Sequence, residues 1–487
     1  MICVGSVAIS TEPVVVLTKF RSAMSNFIKQ LSENGALLVL CSLLIASFAL
    51  GGSARSDPQS LAVLRPLAVL ALGFGIWKLR IEHFRKNKEI STIAALLAVF
   101  SVAFLLPLPS GLLGGSAQEM VANVNATANL STNMRPLAIS GSTTLNANFA
   151  LIIPLAAVVL LVQLDRKQRF SLLPWCIALG MGSSLLGLLQ SIGSSNDSLY
   201  FYDVTNKGSA VGIFANRNHQ ALFLALLFPM LATYHVTADK KDQRLQQYRL
   251  WLALIGNIVL IPLILITGSR SGLIAGLFGI GAAFWIFHNR NDSMVRVKKI
   301  GPFNWRILLA AAGVAALTAV TLVMARAEAI LRLFAPPAQT DNRVEFWKVI
   351  LDAGYGQLLW GVGPGGFADL YKVLEPKRLL DPSYLNHAHN DFLELLVDYG
   401  VLGLILIIAT AVLFLNCYRK IDRAAHSRDQ AMRFLGIICM AILLFGSTVD
   451  YPLRTPFISV LATILFAWSC GSRLTSKNEP LVPKLVD

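Results

Sequence analysis

The chain predicts an all-α polytopic membrane protein with about 12 transmembrane helices and a helical periplasmic cap between helices 9 and 10. Three observations carry this. Of its 487 residues 55% are hydrophobic and only 14% charged, a balance that suits a membrane chain far better than a soluble enzyme. Twelve apolar runs, at 35–50, 58–77, 90–106, 146–163, 172–189, 219–234, 251–267, 271–287, 307–323, 401–416, 434–449 and 456–470, approach the length of a span, which is ~20 residues. Lys and Arg are also unevenly placed. With a cytoplasmic N-terminus, the loops at 78–88, 164–169, 240–249, 288–306 and 418–433 face inward and hold 22 of them, against six in the short outer loops. That is the positive-inside pattern. Segment 324–400 is long enough to translocate whatever its charge, and it is left out of the count.

The expected organisation is therefore a cytoplasmic segment 1–34, helices 1–9 over 35–323, a periplasmic cap 324–400, helices 10–12 over 401–470 and a cytoplasmic tail 471–487. The net charge of +15 sits mainly in the inward loops, beside anionic headgroups, and calls for no nucleic-acid partner. None of the six cysteines falls in an outer loop, so neither a disulfide nor a thiol-metal site is expected.

In chain order, Lys19, Arg21 and Lys29 precede a first run without a cleavage pattern, which reads as a retained signal anchor. Arg65 lies inside the second run, where an arginine costs ~2.5–3.5 kcal/mol unless it snorkels or faces a cavity. Segment 107–145, rich in Ser, Asn, Gly and Ala, reads as a flexible outer loop. The sixth run opens with Asn216, Arg217, Asn218 and His219. These polar groups serve either as an interfacial cap or as an anion site at a helix N-terminus. Thr267-Gly-Ser-Arg270-Ser-Gly272 is a tight outer hairpin, and Arg270 either anchors it at the interface or overhangs the bundle.

Arg343 falls in the first turn of a helix running through Ile350. Gly361-Val-Gly-Pro-Gly-Gly-Phe367 lacks the ending of a nucleotide-binding loop and is expected to turn sharply near the membrane. Asn386-His387-Ala-His389-Asn390-Asp391 then leads into a helix whose Phe392, Leu395, Leu396 and Tyr399 share one face, with Asp391, Glu394 and Asp398 on the other. Asn390 or Asp391 caps it and Gly400 ends it. In the last outer loop Asp450 and Arg454 form either a local pair or a substrate contact. The tail from Ser472 reads as disordered.

Four motifs, Phe214-Ala-Asn-Arg-Asn-His-Gln-Ala221, Gly268-Ser-Arg-Ser-Gly272, Asn342-Arg343 with Phe346-Trp347, and His389-Asn-Asp-Phe-Leu393 running to Gly400-Val-Leu-Gly403, resemble the bacterial O-antigen ligase and O-antigen (exopolysaccharide) polymerase superfamily. The resemblance implies an inverting glycosyltransferase that needs no metal or other cofactor. It would sit in the bacterial inner membrane with its site on the periplasmic side. Its donor would be an undecaprenyl-diphosphate-linked glycan, its acceptor a saccharide or lipid A core, and a chain-length regulator a further partner. By position His389 matches the family's loop histidine, and Arg217, Arg270 and Arg343 match arginines that bind the donor diphosphate. His387, Asn390, His219, Asp450 and Arg454 are additional candidates, and the second histidine leaves open which of His387 and His389 is the base. Polymerase and ligase roles share these parts, with a slight preference for the polymerase. A lipid-linked sugar flippase is the alternative of another class.

Overall fold

The computed structural model describes residues 34–114, 116–130, 133–192, 197–239, 241–294, 343–354, 359–380, 385–421 and 427–471, with single residues 313 and 316. The expected signal anchor before 34, ninth span at 307–323, start of the cap at 324–342 and tail from Ser472 lie outside the described residues. Every other apolar run coincides with a helix. In order these are α1 (Asn34–Leu50), α2 (Leu61–Lys78), the short α3 (Ile81–Lys86), α4 (Lys88–Ala103), α5 (Ser116–Thr127), α6 (Gly141–Leu161), α7 (Arg166–Ile192), α8 (Arg217–Val236), α9 (Gln243–Ile266) and α10 (Arg270–Met294). After them come α11 (Arg343–Gly354), α12 (Phe367–Leu374), α13 (Asp391–Tyr399), α14 (Val401–Arg419), α15 (Arg428–Val449) and α16 (Pro456–Cys470). Among the described residues eight helices are long and apolar enough to cross a membrane, and α1 and α16 are shorter apolar helices.

Helix α8 is the central post, buried from His219 to Val236 with few breaks and packed against α7, α9, α10 and α15. Its closeness to α10 depends on small residues: a Cβ on Gly272 would overlap that of Ala221, and one on Gly279 the carbonyl of Ala225. The matched order of these contacts makes the two helices parallel, so their N-termini share one end of the bundle. Outer helices bury one side only and expose Leu70, Phe284 and Ile408, the surface expected against lipid.

Two expectations change. Segment 107–145 is not structureless: Pro107–Pro109 (β1) pairs antiparallel with Met134–Pro136 (β2), and α5 lies between them. The ladder gives a polar segment partners for its backbone, and Ile139 then donates to the Val362 carbonyl at 3.0 Å, tying the segment to the glycine loop. The second change is a disulfide, Cys417–Cys470, where none was expected. The two cysteines become neighbours because the ends of α14 and α16 pack together, which their spacing of 53 positions does not reveal.

Candidate functional site

Helix α13 and the loop before it organise one end of the bundle. Asn390 is the N-cap: its Oδ1 accepts from the amides of Phe392 and Leu393, both at 3.0 Å. Its Nδ2 donates to the Thr448 carbonyl at 3.0 Å, which fixes the loop to the end of α15. The helix buries its acidic face most deeply. Asp391, Glu394 and Asp398 are 7%, 1% and 0% exposed, and buried carboxylates require partners.

Arg454 is the common partner. Its Nη1 lies 3.1 Å from Asp398 Oδ2 and 3.4 Å from Glu394 Oε1, and its Nε lies 3.8 Å from Asp391 Oδ1. Backbone amides complete the shell. Leu453 donates to Asp391 at 3.1 Å, Ala388 to Glu394 at 2.9 Å, and Phe367 and Gly365 to Asp398 at 3.1 and 3.2 Å. The glycine loop is therefore the cradle of α13. Gly361, at φ 70°, presses so closely on the backbone of Asp398 and Tyr399 that no side chain fits.

Burial pushes Asp391 up to about 7 and Asp398 up to about 6, each against the pull of Arg454. Burial also opposes ionisation of Glu394, but Arg454 and His387 outweigh it and hold that carboxyl at about 2. The local Asp450–Arg454 pair weighed from sequence is not formed, because the turn Pro452–Arg454 swings the arginine toward α13.

The two histidines do different work. His387 Nδ1 lies 2.8 Å from Glu394 Oε1 and its Nε2 3.2 Å from the Ala54 carbonyl. A carboxylate held ionised and a carbonyl can only accept, so both ring nitrogens donate and His387 is an imidazolium. Burial works against that charge, and Glu394, through charge and hydrogen bond, overrides it and raises the His387 pKa. A ring with both protons engaged is no base.

His389 stands at φ 49°, a left-handed conformation that costs a non-glycine residue ~1–3 kcal/mol. Its neighbours hold it there: Ala388 is fixed by Glu394, Asn390 caps α13, and the Asp391 amide donates to the Asp450 carbonyl at 3.3 Å. His389 Nδ1 lies 3.2 Å from Asp450 Oδ1, and its side chain is 25% exposed. Asp450 also accepts from Asn216 Nδ2 at 3.3 Å and Asn218 Nδ2 at 2.6 Å. With Nδ1–H on the carboxylate, Nε2 carries a lone pair and has no hydrogen-bond partner among the described residues.

The remaining candidates group around this pair. His219 is buried, with Nδ1 3.0 Å from Thr455 Oγ1 and Nε2 3.9 Å from Asp450 Oδ1. Arg217 opens α8 between the two asparagines that hold Asp450, and Arg270 opens the parallel α10 alongside. Both helix dipoles thus present their positive ends at one end of the bundle. Arg343 opens α11, whose Trp347 donates to the Ala388 carbonyl at 2.8 Å. That bond ties α11 to the histidine loop.

Sequence reasoning missed the carboxylate cage and Tyr451. The ring of Tyr451 lies 4.4, 4.9 and 5.2 Å from those of His387, His389 and His219. Three acids at i, i+3 and i+7 of one short helix were a usable signal, since such a row demands a counter-charge. Nothing in the sequence marks Tyr451.

Comparison with known proteins bears on the same region. Residues 255–408 match the O-antigen ligase family. Over 271 residues the chain is 25% identical to the exopolysaccharide production protein ExoQ of Rhizobium meliloti, covering 53% of this chain and 58% of that protein. The chain therefore matches less than two thirds of that relative's length. The helical, polytopic fold and these two matches support a place for the chain in the O-antigen ligase and polymerase superfamily.

Proposed function

We propose that the protein is an inverting glycosyltransferase that extends an undecaprenyl-diphosphate-linked glycan at the periplasmic face of the bacterial inner membrane. The observation that carries this reading is the His389–Asp450 pair, which leaves Nε2 of a partly exposed imidazole available at the end of the bundle where two arginines open parallel helices. In the proposed step an acceptor hydroxyl attacks the anomeric carbon and gives its proton to His389 Nε2, while the bond from that carbon to the diphosphate oxygen breaks. Asp450 holds the ring tautomer and meets the imidazolium charge as it forms. Arg217 and Arg270, with Arg343 as a third candidate, take up the charge of the departing diphosphate.

The test is mass analysis of the product formed by purified protein from a synthetic diphosphate-lipid glycan. Longer lipid-linked chains are expected from the wild type. A lipid A core or protein acceptor in the product would make the protein a ligase instead, and transport of the intact lipid-linked sugar without covalent change would remove glycosyl transfer altogether.

A further inference from the structure

A cavity of about 340 Å³ lies beside the site described above. His387, Glu394 and Arg454 line it, whereas His389 and Asp450 do not. Its remaining polar wall brings Arg55, Lys372 and Arg65 to the same space. Arg55 is paired in bidentate fashion with Asp57, at 2.9 and 2.7 Å, and Lys372 lies 3.6 Å from Asp369. His387 and Arg454 are held by α13.

Arg65 is different. It projects from the membrane helix α2, has no hydrogen-bond or ion-pair partner among the described residues, and buries an unsatisfied Nε. A guanidinium offers five donors and no acceptor, so the group that completes this site is an acceptor, and an anion would meet the charge as well as the donors.

Apolar residues of the same lining say how such an anion arrives. They are Leu61, which precedes Arg65 on α2, and Ala150, Leu151 and Pro154 of α6. Leu67 on α2 and Leu145 and Phe149 on α6 are 42%, 47% and 46% exposed, as expected of a surface that faces lipid. A lining that combines cationic and apolar residues fits an anionic group attached to a hydrocarbon chain.

We propose that this cavity binds the phosphate headgroup of a lipid, with Arg65 as its principal ligand and the chain lying along α2 and α6. On the glycosyl-transfer reading above, on which only this role rests, it holds the second lipid-linked glycan that polymerisation requires.

The test uses purified full-length protein in phosphatidylcholine nanodiscs, with farnesyl diphosphate, inorganic pyrophosphate and farnesol as radiolabelled probes. An R217Q/R270Q/R343Q background removes the arginines assigned to the other site. Farnesyl diphosphate is expected to bind saturably and more tightly than pyrophosphate, and farnesol not to compete. Arg65→Gln should weaken the binding about tenfold or more, while Arg65→Lys, which keeps the charge, retains most of it. Binding within twofold of the parent in Arg65→Gln, or equal loss in Arg65→Lys, overturns the proposal. Equal affinity for pyrophosphate and farnesyl diphosphate overturns the lipid assignment, leaving a free-phosphate site. Product analysis separates this inference from the function proposed above. Arg65-dependent binding without glycan extension by wild-type protein leaves the site and removes the function, whereas wild-type rates of extension by Arg65→Gln remove the site's role and leave the function.

Discussion

Two arginines hold opposite ends of the bundle together, and they do it with different chemistry. Arg169 of α7 is 4% exposed and donates to neutral oxygens, namely Asn87 Oδ1 at 2.7 Å and the carbonyls of Leu161, Gly471 and Ala467 at 3.0, 3.1 and 3.3 Å. It joins α4, α6, α7 and α16, and no titration near neutral pH alters any of those acceptors. Arg454 is instead surrounded by three carboxylates. Even with His387 charged beside it, three ionised acids would exceed the local cations. Burial resolves the excess by lifting Asp391 and Asp398 toward neutrality. One end is thus a staple insensitive to its surroundings, and the other is a charge cluster poised to respond to protons and anions.

The contrast predicts opposite phenotypes, beginning with the largest. His389→Ala should lower glycan extension by ~10²–10⁴-fold, the usual worth of a general base, with thermal melting nearly unchanged. Wild-type product from a normally folded His389→Ala protein would remove the base from the mechanism. Arg454→Met should cost ~3–5 kcal/mol of stability, because it leaves buried carboxylates without a counter-charge. Arg169→Met should cost less, ~1–3 kcal/mol, since only neutral acceptors lose a partner, and the folded fraction should keep its specific activity. Equal losses of stability in the two methionine variants, measured by thermal unfolding in one detergent, would erase the distinction between the ends.

Most of the fold was legible because the bilayer imposes a simple demand for long apolar runs, and eleven runs met helices where they were expected. The histidine loop was legible too, since an amide cap and an apolar 3.6-residue rhythm mark the start of α13. That rhythm named the two faces of α13 but did not say which is buried deepest. The answer is set by Arg454, 56 positions from Asp398, and long-range charge has no period. The same limit hid the Cys417–Cys470 bond and the contact of three imidazoles with Tyr451. Arg65 was visible as an anomaly, a charge inside an apolar run. Only the packing of α2 against α6 shows that a cavity lies beside it.

The smallest expected effect tests the contrast most directly. Asp391 has a folded pKa of about 7 against an ordinary 3.8, and Asp398 one of about 6. Between these limits the folded protein holds protons that the unfolded chain has released, so stability falls as pH rises. His387 acts in the same direction, since the stability from its raised pKa is present below 6.5 and is lost as pH rises through the folded value. Glu394 acts only in strong acid, where its contribution is lost as pH falls from 4.5 through about 2. Melting should therefore drop between about pH 5 and about pH 8, by about 2–4 °C if Arg454 absorbs most of the new charge on Asp391. Asp391→Asn should flatten that slope, and Arg169→Met should lower both ends of it equally. A wild-type melting temperature that is level or rising over this interval, or an unchanged slope in Asp391→Asn, would show that the cage does not hold its protons as its geometry requires.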